Sequence, residues 1–375
     1  MPPPSLRFYP RLFYLLQAVL LLLLFPALLR LLGLSPLRAY KLTCALFSVL
    51  IALVTKRSLK LAGRPWELSL AGAALFSLSQ FVLADLVVRA GFSSYLSYLF
   101  LPPLVAGLYD FFVREGRRTW LLGLSLGGLI LTHTLNAFQG VLLTVLSFLL
   151  MLFTRDGRTA LTDRARVMRL GVTALLTLAL TAWYWMPMLE QMTSGVAFVY
   201  RHPWADVGEF TQPWEDFFAL TGYFFNIAHV GIGVPILAFI AARVFVGRPK
   251  TADERFGDLC YFLGLLLLVA MTKVLPWRLL SHTVLNNLQF TFRIYPFALI
   301  FLIFGLSSVF DRLIVKGAAA AERCAFPLML AAIFLSAVFG VVQNRTVTEN
   351  PEGFHSITAE TLSENSGAVG RGEWL

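Results

Sequence analysis

The stretch at residues 141–153 reads VLLTVLSFLLMLF, and only Thr144 and Ser147 interrupt its apolar character. A closed membrane barrel would show segments of about ten residues in which apolar and polar side chains alternate, and this stretch does not alternate. A helix satisfies its own backbone hydrogen bonds inside a bilayer, so we interpret the stretch as part of a membrane-spanning helix. The predicted fold class is therefore all-α.

Comparable apolar segments recur along nearly the whole chain, separated by short polar turns. Because a span needs about 20 mostly apolar residues, we predict about eleven hydrophobic segments. They lie at roughly 12–33, 39–55, 66–84, 94–113, 119–133, 136–154, 167–189, 229–246, 258–275, 294–314 and 324–342. The predicted domains are a multi-span membrane domain over residues 1–342 and a soluble tail over residues 343–375, where Thr, Glu, Ser, Asn and Gly become common.

The basic residues indicate an orientation in the membrane. The net charge is +10, but the positive residues form short clusters between apolar segments, which argues against a nucleic-acid partner. Cytoplasmic loops carry an excess of Lys and Arg, and alternate loops here hold 19 of the 31 basic residues. They are Lys56, Arg57, Lys60, Arg64, Arg114, Arg117, Arg118, Arg155, Arg158, Arg164, Arg166, Arg169, Arg243, Arg248, Lys250, Arg255, Arg312, Lys316 and Arg323. We predict that these loops are cytoplasmic.

The opposite, non-cytoplasmic side then receives the C-terminal tail and all five histidines, which are His133, His202, His229, His282 and His355. The largest loop on that side, residues 192–228, is interpreted either as an interfacial amphipathic helix or as a lid or sugar platform. The position of the N-terminus stays open, since it depends on whether segment 12–33 spans the bilayer.

Two pairs of polar residues near the membrane edge, each with an ionisable member, are candidate site residues, because ionisable groups are costly to place there. Asp85 and Arg89 are four residues apart, so their side chains can meet on one helical face. Gln289 and Arg293 have the same spacing, and the fork of donors in an arginine suits a phosphate group. The structural alternatives are an ion pair that caps a helix end and a guanidinium that reaches the lipid head groups.

Two further candidates, His133 and Glu190, follow apolar segments on the same side. His133 lies in a polar break at residues 131–136, where it could instead be a hydrogen-bonded turn residue. Glu190 follows an aromatic stretch, residues 183–187, that could instead be an interfacial belt. No HExxH, P-loop or clustered metal-ligand spacing occurs. No cofactor is predicted, and a requirement for a divalent metal is left open.

Several short motifs together resemble a known family. They are Phe8-Tyr9-Pro10 with Leu12-Phe13-Tyr14, Asp85 through Arg89, Leu101-Pro102-Pro103-Leu104, Thr132-His133, Ala182-Trp183-Tyr184-Trp185-Met186-Pro187 with Glu190, Pro276-Trp277, and Leu288-Gln289-Phe290 with Arg293. In this order they resemble the GT-C superfamily of membrane glycosyltransferases that use polyprenyl-phosphate sugars. More narrowly, they resemble the bacterial membrane proteins called 6-pyruvoyl-tetrahydropterin-synthase-related.

The resemblance implies a bacterial inner-membrane enzyme that transfers a sugar from a polyprenyl-phosphate donor to a cell-envelope acceptor at the outer face. Arg293 would bind the donor phosphate together with Arg89 and Gln289, and Asp85 is the carboxylate nearest to the family's catalytic pattern. His133, Glu190 and His202 would belong to the substrate loops. The membrane lipids and the lipid-linked sugar are the partners it implies.

The chain also departs from the family pattern. The family opens with a span and an acidic outer loop that this chain does not contain before Phe8, and Ser94 stands where the family has a Glu. The resemblance therefore implies a fragment at both ends or a degenerate relative. Two other hypotheses are a non-catalytic membrane scaffold, or pseudoenzyme, and a transporter or lipid flippase, although we find no internal repeat of the kind many transporters have.

Overall fold

A computed structural model describes residues 9–87, 91–193, 207–208, 211–218, 231–232, 234–316, 330–331, 333–335 and 337–338. Within these residues every regular element is a helix and none is a strand. The predicted all-α class is confirmed. Most of the predicted segment 324–342 and the whole of the tail at residues 343–375 lie outside the described residues.

The described residues form sixteen α-helices, joined in several places by short 3-10 turns. The helices are α1 (Tyr9–Leu23), α2 (Phe25–Leu31), α3 (Pro36–Leu61), α4 (Trp66–Ser77), α5 (Gln80–Val87), α6 (Phe92–Ser97), α7 (Leu101–Val113), α8 (Trp120–Thr132), α9 (Thr134–Leu152), α10 (Arg155–Thr162), α11 (Arg164–Thr193), α12 (Trp214–Phe217), α13 (Val234–Ala242), α14 (Ala252–Ala270), α15 (Trp277–Leu280) and α16 (Tyr295–Lys316). The 3-10 turns are Tyr98–Phe100, Arg243–Phe245, Val284–Leu288 and Thr291–Ile294.

Five helical stretches are long and apolar enough to cross a membrane. They are Pro36–Leu61, Phe92–Val113, Thr134–Leu152, Arg164–Gln191 and Thr291–Leu313. Two bent pairs, α1 with α2 and α4 with α5, raise the number to seven if each pair is one span. The chain is thus a multi-pass helical membrane protein, while the larger number of eleven segments stays a prediction.

The long helices divide into a buried centre and an outer layer. Residues 92–113 and 291–313 are mostly buried, whereas α3 and α11 expose most of their length. The exposed side chains of the outer helices are large and apolar, among them Val49, Leu53, Val145, Leu149, Leu175 and Leu178. Apolar patches of this extent are rare on soluble monomers. We therefore interpret the outer layer as the surface that faces lipid.

The centre of the bundle is the contact between α14 and α16, which approach closely because small residues lie between them. At Gly305 of α16, a Cβ atom would lie only 2.5 Å from the backbone nitrogen of Tyr261 in α14. At Gly257 of α14, a Cβ atom would lie 2.2 Å from the Oγ atom of Ser308. Membrane helices commonly pack through such small residues, which bring two backbones together.

The bundle has two chemically different ends, and we call the first one the basic end. Hydrogen bonds join its loops there: Arg64 binds Asp253 and Asp311, Arg255 binds Asp156, Arg166 donates to the Phe111 carbonyl, and Arg312 donates to the Gly247 carbonyl. Every loop of the predicted cytoplasmic set is therefore represented at this one end. The packing of α1 along α8, with Leu12 beside Gly123 and Leu16 beside Gly127, makes α1 begin there too.

One carboxylate at the basic end is shared by two arginines from different elements. Asp258 of α14 accepts a hydrogen bond of 2.6 Å from Arg243 and another from Arg312 of α16. The side chains of Asp258 and Arg312 are almost completely buried. This triad ties the 3-10 turn at residues 243–245 and the two central helices together.

Candidate functional site

The opposite end of the bundle, which we call the polar end, brings together several of the predicted site residues. The rings of Phe81 in α5 and Tyr295 in α16 stack with their centroids 4.8 Å apart. This contact places the end of α5, with Asp85, at the same end of the bundle as the turn that carries Arg293. His133 lies there as well, because α8 runs away from the basic end and His133 follows its last residue.

Asp85 lies on α5 and is fully buried, with 0% of its surface exposed. The hydroxyl of Tyr98 donates a hydrogen bond of 2.7 Å to its Oδ2 atom, and the hydroxyls of Ser94 and Tyr98 are 3.2 Å apart. A Cβ atom at Gly91 would lie 2.8 Å from Oδ1, so the turn before α6 needs a glycine at this close approach. A buried carboxylate requires such polar neighbours, since its desolvation is costly.

His133 caps α9 and is linked to the same region through two further side chains. Its extended backbone ends α8, and its Nδ1 atom accepts a hydrogen bond of 3.2 Å from the backbone N–H of Asn136. The amide of Asn136 donates to the Ser97 hydroxyl at 2.6 Å, and Ser97 donates to the Ser94 carbonyl at 2.5 Å. His133 thus forms a hydrogen-bonded turn through its Nδ1 atom, and Asn136 and Ser97 link it to α6, which precedes Tyr98.

Arg293 and Gln289 form a direct contact, as their spacing predicts. The Nη1 atom of Arg293 donates to the Gln289 side-chain oxygen at 2.8 Å and to the Leu288 carbonyl at 3.4 Å. Its guanidinium carbon lies 5.1 Å from the centre of the Phe290 ring, and Phe290 stacks on Phe292. The idea that the pair shares one helix face is wrong, because Gln289 has a left-handed backbone (φ 62°) and the two residues meet across a turn before α16.

The other predicted site residues are not brought into this network by any described contact. Glu190 is exposed near the end of α11, and within the described residues its carboxylate makes no hydrogen bond or ion pair. Arg89 and His202 lie outside the described residues. The contact between Asp85 and Arg89 therefore stays a prediction.

Tyr98 is the site residue that the sequence analysis does not single out. The sequence does contain a usable pattern, since Ser94 and Tyr98 are four residues apart and so fall on one face of a helical segment. The pattern does not predict that Tyr98 binds Asp85. That contact depends on the packing of two separate helices, α5 and α6, which brings Tyr98 to Asp85. Among the described residues, no group of three or more His, Cys, Asp or Glu side chains could hold a metal ion.

No protein-family model matches this chain, and no curated protein sequence matches it either. The family resemblance therefore rests on the motifs quoted above.

Proposed function

We propose that this chain is a membrane glycosyltransferase that takes a sugar from a polyprenyl-phosphate donor. In this proposal the bundle has eleven spans and a GT-C-like architecture, lies in a bacterial inner membrane, and presents its polar end to the outer face. The acceptor hydroxyl attacks the anomeric carbon of the sugar, the bond from that carbon to the phosphate oxygen breaks, and a general base takes the acceptor proton.

The observation that carries the proposal is the environment of Arg293. Its guanidinium is only partly buried, lies against the Phe290 ring, and donates to the neutral oxygens of Gln289 and Leu288. A guanidinium is always positively charged, and its planar donor fork suits a phosphate that gains charge as the sugar leaves.

The buried position of Asp85 suits a supporting role better than base catalysis. Its carboxylate is enclosed and engaged by Tyr98, so an acceptor hydroxyl would have to displace this contact to reach it. We assign Asp85 as a positioning residue that fixes α5 against α6, next to the segment that carries Arg89. Arg293 and Gln289, with Arg89 as a second cation, would hold the donor phosphate.

Replacement of Arg293 by Ala is expected to reduce sugar transfer from a synthetic polyprenyl-phosphate sugar by roughly tenfold to 100-fold, the effect of removing one charged hydrogen-bond donor. The measurement is the initial rate of transfer by purified protein in lipid nanodiscs. Arg278→Ala is the matched control, since Arg278 is exposed at the same end of the bundle. Equal rates for Arg293→Ala and the wild type would contradict the assignment of Arg293.

The broken span formed by α4 and α5 favours a second candidate, a transporter or lipid flippase. Helices α4 and α5 are bent by 45° relative to each other, at a break that follows Ser77 and precedes Gln80. Transporters commonly place substrate sites beside such interrupted helices. Movement of a fluorescent polyprenyl phosphate across the bilayer of protein-containing vesicles, without any sugar transfer, would favour this candidate over the glycosyltransferase.

A further inference from the structure

At the basic end, large apolar side chains project outwards where helices reach the edge of the bundle. Phe153, directly after α9, has 82% of its surface exposed, and Phe245, in the turn at residues 243–245, has 78% exposed. The exposed apolar row of α9, with Val145, Leu149 and Leu152, leads straight to Phe153. Large apolar side chains such as phenylalanine, next to basic residues, can enter the boundary between hydrocarbon and head groups.

Basic side chains follow both of these aromatic residues within three positions. Arg155 begins α10 just after Phe153, and Arg248 lies three residues after Phe245. Both arginines are exposed, and within the described residues their side chains make no hydrogen bond or ion pair. Their positive charges are therefore available to an external partner, unlike those of Arg64 and Arg312 in the buried ion pairs.

A two-point ion pair holds the segments that carry Arg155 and Arg248 together. Arg255 binds the neighbouring Asp156 of α10 through two contacts, of 2.5 Å from Nε and 2.9 Å from Nη2. The same guanidinium donates to the Lys250 carbonyl at 2.7 Å, which fixes the segment after Arg248. Asp156 is thereby neutralised, so the acidic residue next to Arg155 does not offset the positive charge of the surface.

We propose that this surface, formed by Phe153, Arg155, Phe245 and Arg248, binds the head groups of anionic phospholipids. The two phenylalanines would lie at the acyl boundary, and the two arginines would contact the lipid phosphates. An anionic bilayer has an apolar layer that can accept the two phenylalanine rings and, next to it, a negatively charged layer that can bind the two arginines. A soluble anion could bind the arginines but has no apolar layer for the aromatic rings. Each basic residue near an anionic membrane surface strengthens binding roughly fivefold.

The test compares two double variants that each remove two positive charges. Arg155→Gln/Arg248→Gln changes the proposed surface, and Lys273→Gln/Arg278→Gln changes two exposed basic residues at the polar end. Full-length protein in neutral detergent is titrated with phosphatidylglycerol or with phosphatidylcholine, and native mass spectrometry gives the dissociation constant of the first bound lipid. Helix content by circular dichroism checks that each variant is folded.

Phosphatidylglycerol is expected to bind the wild type more tightly than phosphatidylcholine, with an advantage that shrinks as salt is added. Arg155→Gln/Arg248→Gln should weaken phosphatidylglycerol binding roughly 30-fold, and Lys273→Gln/Arg278→Gln should leave it within about twofold. Equal binding of the two lipids by the wild type would overturn the proposal. So would an equal loss in both double variants, since that would show an effect of net charge alone.

Discussion

Replacement of Asp258 by Ala is expected to lower the free energy of unfolding by about 3–5 kcal/mol, the cost of removing one partner from a buried ion pair. Asp258 accepts from both Arg243 and Arg312, and the Arg312 side chain is only 7% exposed. Without the carboxylate, two guanidinium groups would face each other at the buried base of α14 and α16. The measurement follows the loss of helix by circular dichroism as sodium dodecyl sulfate is added to detergent-solubilised protein.

Glu115→Ala is the matched control for this variant. Glu115 pairs with Arg117 at the same end of the bundle, at 2.5 Å, but both side chains are more than half exposed. Exposed pairs contribute about 0–1 kcal/mol, so the unfolding free energy should hardly change. If Asp258→Ala and Glu115→Ala had equal effects, the triad would not be a buried structural link between the two central helices.

A methyl group at Gly305 is expected to cost about 3 kcal/mol of unfolding free energy, near the upper end of the usual range for overpacking. The added carbon would lie 2.5 Å from the backbone nitrogen and 2.6 Å from the Cα atom of Tyr261. Backbone atoms cannot rotate away as a side chain can, so α14 and α16 would have to separate. The same unfolding titration of Gly305→Ala measures this cost.

Gly171→Ala separates the effect of packing from that of helix propensity. Gly171 lies within α11, and nothing comes within 4 Å of the position of its added Cβ atom. Alanine is favoured over glycine inside a helix by about 1 kcal/mol, so this variant should be as stable as the wild type or slightly more stable. A Gly305→Ala protein that behaves like Gly171→Ala would show that α14 and α16 are not in close contact.

The sequence predicts those features of the fold that depend on local patterns. Apolar runs such as residues 141–153 predict helices, and the basic clusters predict that Arg64, Arg166 and Arg312 lie at one end of the bundle. The helices and the common position of the basic clusters both depend on whether each segment is more stable in lipid or in water. Neither prediction requires knowledge of how the helices pack against one another. The spacing of Gln289 and Arg293 likewise predicts their contact, although a turn and not a helix face produces it.

The features that the sequence does not predict depend on which helices are neighbours. The nearest acidic neighbour of Asp258 on its own helix is Glu254, four residues earlier, whereas Arg312 is more than fifty residues away in the sequence. No local pattern therefore predicts that Asp258 binds Arg312. The donation from Tyr98 to Asp85 likewise arises because α6 folds back against α5. Hydrophobic periodicity predicts that a helix exists, but partner choice is set by packing between helices.

In the proposed topology, the basic end and the polar end lie on opposite sides of a membrane, with the polar end outside. The most direct test places one cysteine at each end, as Arg117→Cys or His282→Cys, both exposed positions. The background replaces Cys44, Cys260 and Cys324 by Ala. A membrane-impermeant maleimide is added to right-side-out bacterial membrane vesicles.

We predict labelling of His282→Cys in intact vesicles and of Arg117→Cys only after detergent is added. Labelling of Arg117→Cys in intact vesicles, alone or together with His282→Cys, would contradict this topology.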